Sequence, residues 1–266
     1  MNLLIGFSLA GLIALLAAKV GSLTISGSVA AFITGGLIFS YGGFPWAGVL
    51  MIFFVSSSVL SRLFTNRKEE LTIVFSKDAR RDWGQVLANG GLGGALALIH
   101  TTLDAPEWVW LSFAGAMAAV NADTWATELG VLSKKKPRLI TSQKIVERGT
   151  SGGVTLLGNF ATLGGASFIG IVAGIYSEPN KVFLTIAATA LGGVAGAMFD
   201  SLLGASVQAI YHCPDCQKDT ERHPHHTCGV RTEHIRGWRW LNNDLVNFGA
   251  SIVGGFIAVV IWILLR

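Results

Sequence analysis

Apolar residues run through this chain in blocks close to the roughly 17–25 residues that cross a bilayer as helix. Polar residues gather between the blocks. Eight apolar segments are read, at 2–18, 25–41, 44–63, 84–101, 107–131, 152–176, 181–210 and 243–265. The second is short and glycine-rich, which leaves a re-entrant piece as an alternative to a full span. The first carries Lys19 after its apolar run and has no basic leader, so it reads as a retained helix rather than a secretion signal. The pattern predicts an all-α, polytopic transmembrane bundle of about eight helices. One integral membrane domain covers 1–266, with a Cys/His loop at 211–240 inside it. Similar starts recur on the even segments, "NGGLGGA" at 89, "NFATLGGA" at 159 and "NFGASIVGG" at 247. Segments five and seven each carry an Asp followed by a hydroxyl residue, Asp123-Thr124 and Asp200-Ser201. Repeated helical hairpins account for both echoes, as does the general preference for small residues in packed membrane helices.

Composition agrees with a membrane solvent. The 266 residues are 51% hydrophobic and 14% charged, where soluble domains carry about a quarter charged residues. The distribution of charge says more than its sum. Eighteen of the twenty basic residues lie in the loops after segments one, three, five and seven; Lys181 and Arg266 lie on the opposite side. Cytoplasmic loops carry the Lys/Arg excess, so those loops are expected in the cytoplasm and both termini outside. The expected location is the plasma membrane of a bacterium or archaeon.

Carboxylates inside membrane helices are costly and mark function. Asp123 and Glu128 end segment five, Asp200 lies in the inner third of segment seven, and Asp244 opens segment eight with Asn243 and Asn247. Asn89 and Asn159 stand near the starts of segments four and six, and Asn121 precedes Asp123. All fall toward the cytoplasmic side. Helical spacing puts Asn121, Thr124 and Glu128 on one face, and Asp123 points elsewhere. Solvation at the interface by snorkelling is the plainer reading of Glu128. "RGTSGG", Arg148 to Gly153, is expected to open helix six as a phosphate cradle through Thr150, Ser151, Gly152 and Gly153. The plainer alternative is a glycine-rich turn with a hydroxyl cap. "SKDARRDWGQ" places Arg81 before segment four, as a second basic entry or as a membrane anchor. Together these residues suggest Mg²⁺ held by carboxylates, with phosphates held by basic groups and helix ends. The chain has no Gly-Lys dipeptide, which excludes a P-loop. No nucleic-acid partner is expected.

"CPDCQKDTERHPHHTC" holds all three cysteines, Cys213, Cys216 and Cys228. CxxC followed by histidines and a third Cys suits structural zinc, with a redox pair or a metal-free loop as the alternatives. His226, His225 and His223 are alternatives for the fourth ligand.

The stretches "NADTWATELGVLSKKKPRLIT", "RGTSGGVTLLGNFATLGGA", "GGVAGAMFDSLLGASVQAIYHCPDCQKDTERH" and "LNNDLVNFGAS" resemble a family of integral membrane proteins long catalogued as a domain of unknown function. That family includes the plant chloroplast phytyl-phosphate kinase. The resemblance implies transfer of a phosphoryl group from a nucleoside triphosphate, CTP favoured, to an isoprenoid monophosphate. Asp123, Asp200 and Asp244 would then ligate Mg²⁺, with Glu128 as ligand or support. Asn89, Asn121, Asn159, Asn243 and Asn247 would orient phosphates or water, and Arg81, Lys144, Arg148 and Thr150 to Gly153 would bind phosphates. A lipid-phosphate transporter or flippase, and a cytidylyl or phospho-alcohol transferase, are the competing readings.

Overall fold

A computed structural model describes residues 2–63 and 80–266; the basic residues Arg67, Lys68 and Lys77 lie outside the described residues. Helices occupy all eight expected segments: α1 (Leu3–Lys19), α2 (Ile25–Leu37), α3 (Gly43–Leu63), α4 (Trp83–Thr102), α5 (Glu107–Gly130), α6 (Leu156–Ile175), α7 (Val182–Ser206) and α8 (Asn243–Leu265). A five-residue π-turn, Ile38–Gly42, links α2 to α3. Among the described residues, Ile25–Leu63, Leu156–Ile175, Pro179–Ser206 and Asn243–Leu265 are the stretches long and apolar enough by composition to cross a membrane. Large apolar side chains such as Leu16, Phe160, Phe183, Phe256 and Leu264 are exposed along the helices. Lipid is the solvent that such a surface requires.

α5 is the axis of the bundle. It packs against α3, α4, α6, α7 and α8, and a continuous run of it from Phe113 to Ala122 is buried on every side. Small residues allow this crowding. The similar starts of α4, α6 and α8 each bring a glycine against α5: Gly93 meets Phe113, Gly165 meets Ala122 and Trp125, and Gly254 meets Gly115 and Ala119. A Cβ on Gly254 would stand 2.6 Å from that of Ala119. Gly254→Val is therefore expected to cost ~1–3 kcal/mol through overpacking, read as a lower melting temperature in detergent. An unchanged melting curve would contradict the close approach.

The chain turns tie the same end of the helices together. Arg81 N–H donates to Ser22 C=O and Thr24 N–H to Arg81 C=O, joining the α1–α2 turn to the start of α4. Asp82 caps α4 reciprocally with Gln85, a strong helix-start arrangement. At the opposite end Lys181 pairs with Glu107 at 3.0 Å and with Glu178 at 3.1 Å.

The long loops contain short strands that the helical pattern did not announce. β1 (Arg138–Leu139) pairs antiparallel with β2 (Gly153–Val154). The Cys/His loop folds into a sheet of β3 (Ile210–Cys213), β4 (Lys218–Thr220) and β5 (Glu233–Arg236), in the order β4-β3-β5. Two expectations change accordingly. "RGTSGG" does not open helix six, because α6 begins at Leu156 with Thr155 capping Gly158 N–H. Gly152 instead turns at φ 78 against the backbone of Ala205, where any Cβ would collide, and Gly153 enters β2. Segment seven likewise stops at Ser206, where the chain leaves α7 for β3.

Candidate functional site

Asp123 and Glu128 are five residues apart on a helix of 3.6 residues per turn, so they leave α5 on different sides. On the Glu128 side, Ser61 Oγ of α3 donates to Glu128 Oε1 at 2.6 Å. The guanidinium of Arg81 donates to Ser57 Oγ at 2.9 Å and to Ser58 Oγ at 3.3 Å. It lies near the rings of Phe53 and Phe54. Burial pushes Arg81 down to about 10 while Glu128 pulls it the other way, so it stays charged at neutral pH.

Asn121 shares that flank in an architectural role. Its Nδ2 donates to Gly165 C=O at 2.8 Å and its Oδ1 accepts from Ser56 Oγ at 3.0 Å. The amide thus joins α5 to α6 and α3, fully buried, and is not turned toward a phosphate.

On the other side, Asp123 faces α7. Asp123, Asp200 and Glu221 lie near enough to feel one another's charge. Glu221 follows β4 directly and is a residue that sequence reasoning missed. It is aimed by Gln208, whose Nε2 donates to Glu221 Oε1 at 2.8 Å and whose Oε1 accepts from Ser151 Oγ at 2.8 Å. Gln208 is 1% exposed, so this relay is built into the root of the loop. Asp200 Oδ2 is buried and finds no donor among the described residues. Three converging carboxylates repel one another unless a proton or cation lies between them. Carboxylates of this kind, one oxygen of which lacks a donor among the described residues, are the groups that a hard divalent cation takes.

The remaining candidates divide by position. Asp244 stands in the first turn of α8 at the same end, with Oδ1 buried, and Asn243 and Asn247 are half-buried beside it. Asn89 is half-buried near the start of α4. Asn159 is exposed on α6, away from α5; it shares a sequence pattern with Asn247 but not a helix face. Lys144 is exposed. Arg148 is exposed too, and its guanidinium donates to Ser133 C=O at 2.7 Å and to Lys134 C=O at 3.4 Å. Arg148 thereby straps the loop after α5 rather than lining the acidic cluster.

The Cys/His loop forms a second, separate cluster. Single donor atoms of Cys213, Cys216, His226 and Cys228 all lie within 4.8 Å of one another. His226 Nδ1 is 3.2 Å from Cys228 Sγ, and the Sγ atoms of Cys213 and Cys228 are 3.6 Å apart. Cys216 is pushed up to about 11 by its hydrogen bond to Cys228, by burial and by Cys213, a crowding of thiols that a bound cation would relieve. His223 stacks on Tyr211 instead, and His225 faces Arg231 across a backbone bridge. His226 is thus the histidine that completes a set able to hold a metal ion.

A family model described as integral membrane protein DUF92 matches residues 8–255. Protein PGR of Arabidopsis thaliana is 32% identical over 96% of this chain and 94% of its own length. Uncharacterized membrane protein MJ0933 of Methanocaldococcus jannaschii is 30% identical over 94% of this chain and 90% of its own. Protein VTE6, chloroplastic, of Arabidopsis thaliana is 26% identical over 90% of this chain and 65% of its own. No solved structure matches the chain significantly.

Proposed function

The chain belongs to the DUF92 family of integral membrane proteins, and from that premise we propose that it is a membrane phosphotransferase. It moves the terminal phosphoryl group of a nucleoside triphosphate, CTP favoured, onto an isoprenoid monophosphate such as phytyl or geranylgeranyl phosphate. A phosphate oxygen of the acceptor forms the new P–O bond, the bond to the β-phosphate oxygen breaks, and a nucleoside diphosphate leaves. The observation that carries the reading is the mutual influence of Asp123, Asp200 and Glu221 at one end of a membrane bundle, beside a buried Asp200 oxygen that has no donor among the described residues.

Phosphoryl transfer asks mainly for positioning and neutralised charge. Asp123 and Asp200, with Glu221, would hold Mg²⁺, and Asp244 would supply a further oxygen at the same end; Glu128, on the other flank of α5 with Ser61 and Arg81, is not among these ligands. Bound there, Mg²⁺ would neutralise charge on the transferring phosphates. The acceptor is already ionised, so no side chain needs to act as a strong base. Gln208 and Ser151 fix Glu221; Asn89, Asn243 and Asn247 would orient phosphate or water. The exposed Lys144 and Arg148 belong to a basic rim that draws anions to the membrane surface. Cys213, Cys216, His226 and Cys228 would hold zinc, a closed four-ligand set suited to structure rather than chemistry. The loop-bearing end is the cytoplasmic one in this reading, following the basic residues.

Purified protein incubated with CTP, Mg²⁺ and geranylgeranyl phosphate should yield the diphosphate and CDP. Release of pyrophosphate instead would indicate cytidylyl transfer. Movement of the lipid phosphate across vesicles without turnover would indicate a flippase. Absence of diphosphate with every common nucleotide would overturn the proposal.

A further inference from the structure

Arg81 stands between two spaces that the acidic cluster does not use. Among α1 to α4 lies a pocket whose open space, its mouth included, is about 650 Å³. Its wall comes from α1 to α4 and is almost entirely apolar, with Ala14, Ala31, Phe39 and Met51 among its residues. Arg81, Gln85 and Asn89, all at the start of α4, gather most of its polar side chains at one end. At the helix-end face a second cleft of about 280 Å³ is lined by Gly21, Ser22, Ser58, Ser61, Arg62 and Arg81. Arg81 borders both.

The two spaces differ in the chemistry that they admit. An apolar cavity holds no partners for water and favours an apolar occupant. The cleft offers two guanidinium groups and three hydroxyls. Arg62 donates to Ser22 Oγ at 2.8 Å and to Val20 C=O, and Arg81 to two serines. Each guanidinium has five N–H donors, so among the described residues donors remain for an incoming anion. Glu128, which accepts from Ser61 and interacts with Arg81, is a carboxylate beside these groups; two arginines outweigh it. Arg is the side chain best matched to phosphate oxygens.

We propose that cavity and cleft form one amphiphile site, in which α1 to α4 enclose an apolar chain and Arg62 and Arg81 hold its phosphate head. For the identity of that amphiphile, a prenyl monophosphate, the inference rests on the phosphotransferase reading. The cleft opens at the same helix end as the acidic cluster but on the other flank of α5, so it would serve as the docking site from which the acceptor's phosphate moves to the acidic cluster for transfer.

Binding without nucleotide tests this directly. Full-length protein in lipid nanodiscs is titrated by calorimetry with geranylgeranyl monophosphate, with geranylgeraniol and with inorganic phosphate. The monophosphate should bind more tightly than the alcohol. Arg62→Gln should weaken the monophosphate by about tenfold or more and leave the alcohol unchanged, as expected for a lost charge-assisted contact. Ala31→Phe should weaken both, and Met51→Trp serves as a second cavity filler should the first fail to fold. Equal binding of alcohol and monophosphate would overturn the site. So would full binding in both filled variants, or inorganic phosphate competing at equal concentration. Binding with the expected pattern but no turnover with any nucleotide would leave this site standing and remove the phosphotransferase. Turnover with none of the pattern would do the reverse.

Discussion

Asp200→Asn is expected to lower phosphoryl transfer by about 10²–10³-fold, the range for losing one preorganised electrostatic group, while the folded bundle becomes no less stable. The two directions follow from one feature. Asp200 Oδ2 is buried without a donor among the described residues, and Asp123 and Glu221 are its carboxylate neighbours. Three carboxylates crowded in one buried place raise the energy of the folded protein, whether they repel as anions or take up a proton, and residues at functional sites commonly carry such a cost. Asn keeps the shape and removes one carboxylate from the crowd, so the melting temperature should hold or rise. The same change removes a ligand oxygen from the proposed Mg²⁺ site. Wild-type protein should therefore melt later when Mg²⁺ is added, since a ligand that binds the folded state stabilises it by mass action. Asp200→Asn should lose that shift. Thermal melts with and without Mg²⁺, run beside the turnover assay, check the pair. Full activity in Asp200→Asn, or an undiminished Mg²⁺ shift, would sink the carboxylate site.

Much of this arrangement was legible in the sequence where a simple period governs it. The eight helices follow from apolar runs of bilayer length. That Asp123 faces away from Glu128 follows from five residues of helical rotation, and the structure puts Asp200 opposite one and Ser61 opposite the other. Partners that depend on loop geometry were out of reach. Glu221 sits in "KDTERH" with nothing in the local pattern to single it out; only the β3–β4 hairpin turns it back toward α7. "RGTSGG" looked like a helix start because glycine and hydroxyl residues favour caps, yet Thr155 is an equally good cap three residues after Gly152 and takes the role. Asn159 misled for a rotational reason. It precedes Gly165 by six residues, whereas Asn247 precedes Gly254 by seven, close to two full turns. Matching glycines against α5 therefore turns Asn247 inward and Asn159 outward.

Cys216→Ser is expected to release the proposed zinc and lower activity by about 10–100-fold, the usual cost of removing a support of a metal site, although Cys216 belongs to the other cluster. The coupling runs through β4. Cys213 ends β3, Cys216 lies in the turn that follows, and Glu221 comes immediately after β4. One edge of the sheet is anchored without metal: Arg236 of β5 donates to Gly204 C=O and Ala205 C=O at the end of α7, both at 2.8 Å. The β4 edge lies on the far side of β3, and its hairpin turn is the part that a four-ligand zinc would close. Loss of the metal should therefore loosen the hairpin and let Glu221 drift from Asp123 and Asp200, while Gln208 and the β5 anchor retain part of the geometry. That is why the loss should be smaller than for Asp200→Asn. Glu221→Gln separates the two effects. It should lose activity to a similar degree yet keep one zinc per chain and resist proteolysis of the loop, whereas Cys216→Ser should lose the zinc and be cut within 211–240. Zinc content by mass spectrometry, with limited proteolysis and turnover on the same samples, decides it. Zinc-free Cys216→Ser with full activity would show that the hairpin does not position Glu221.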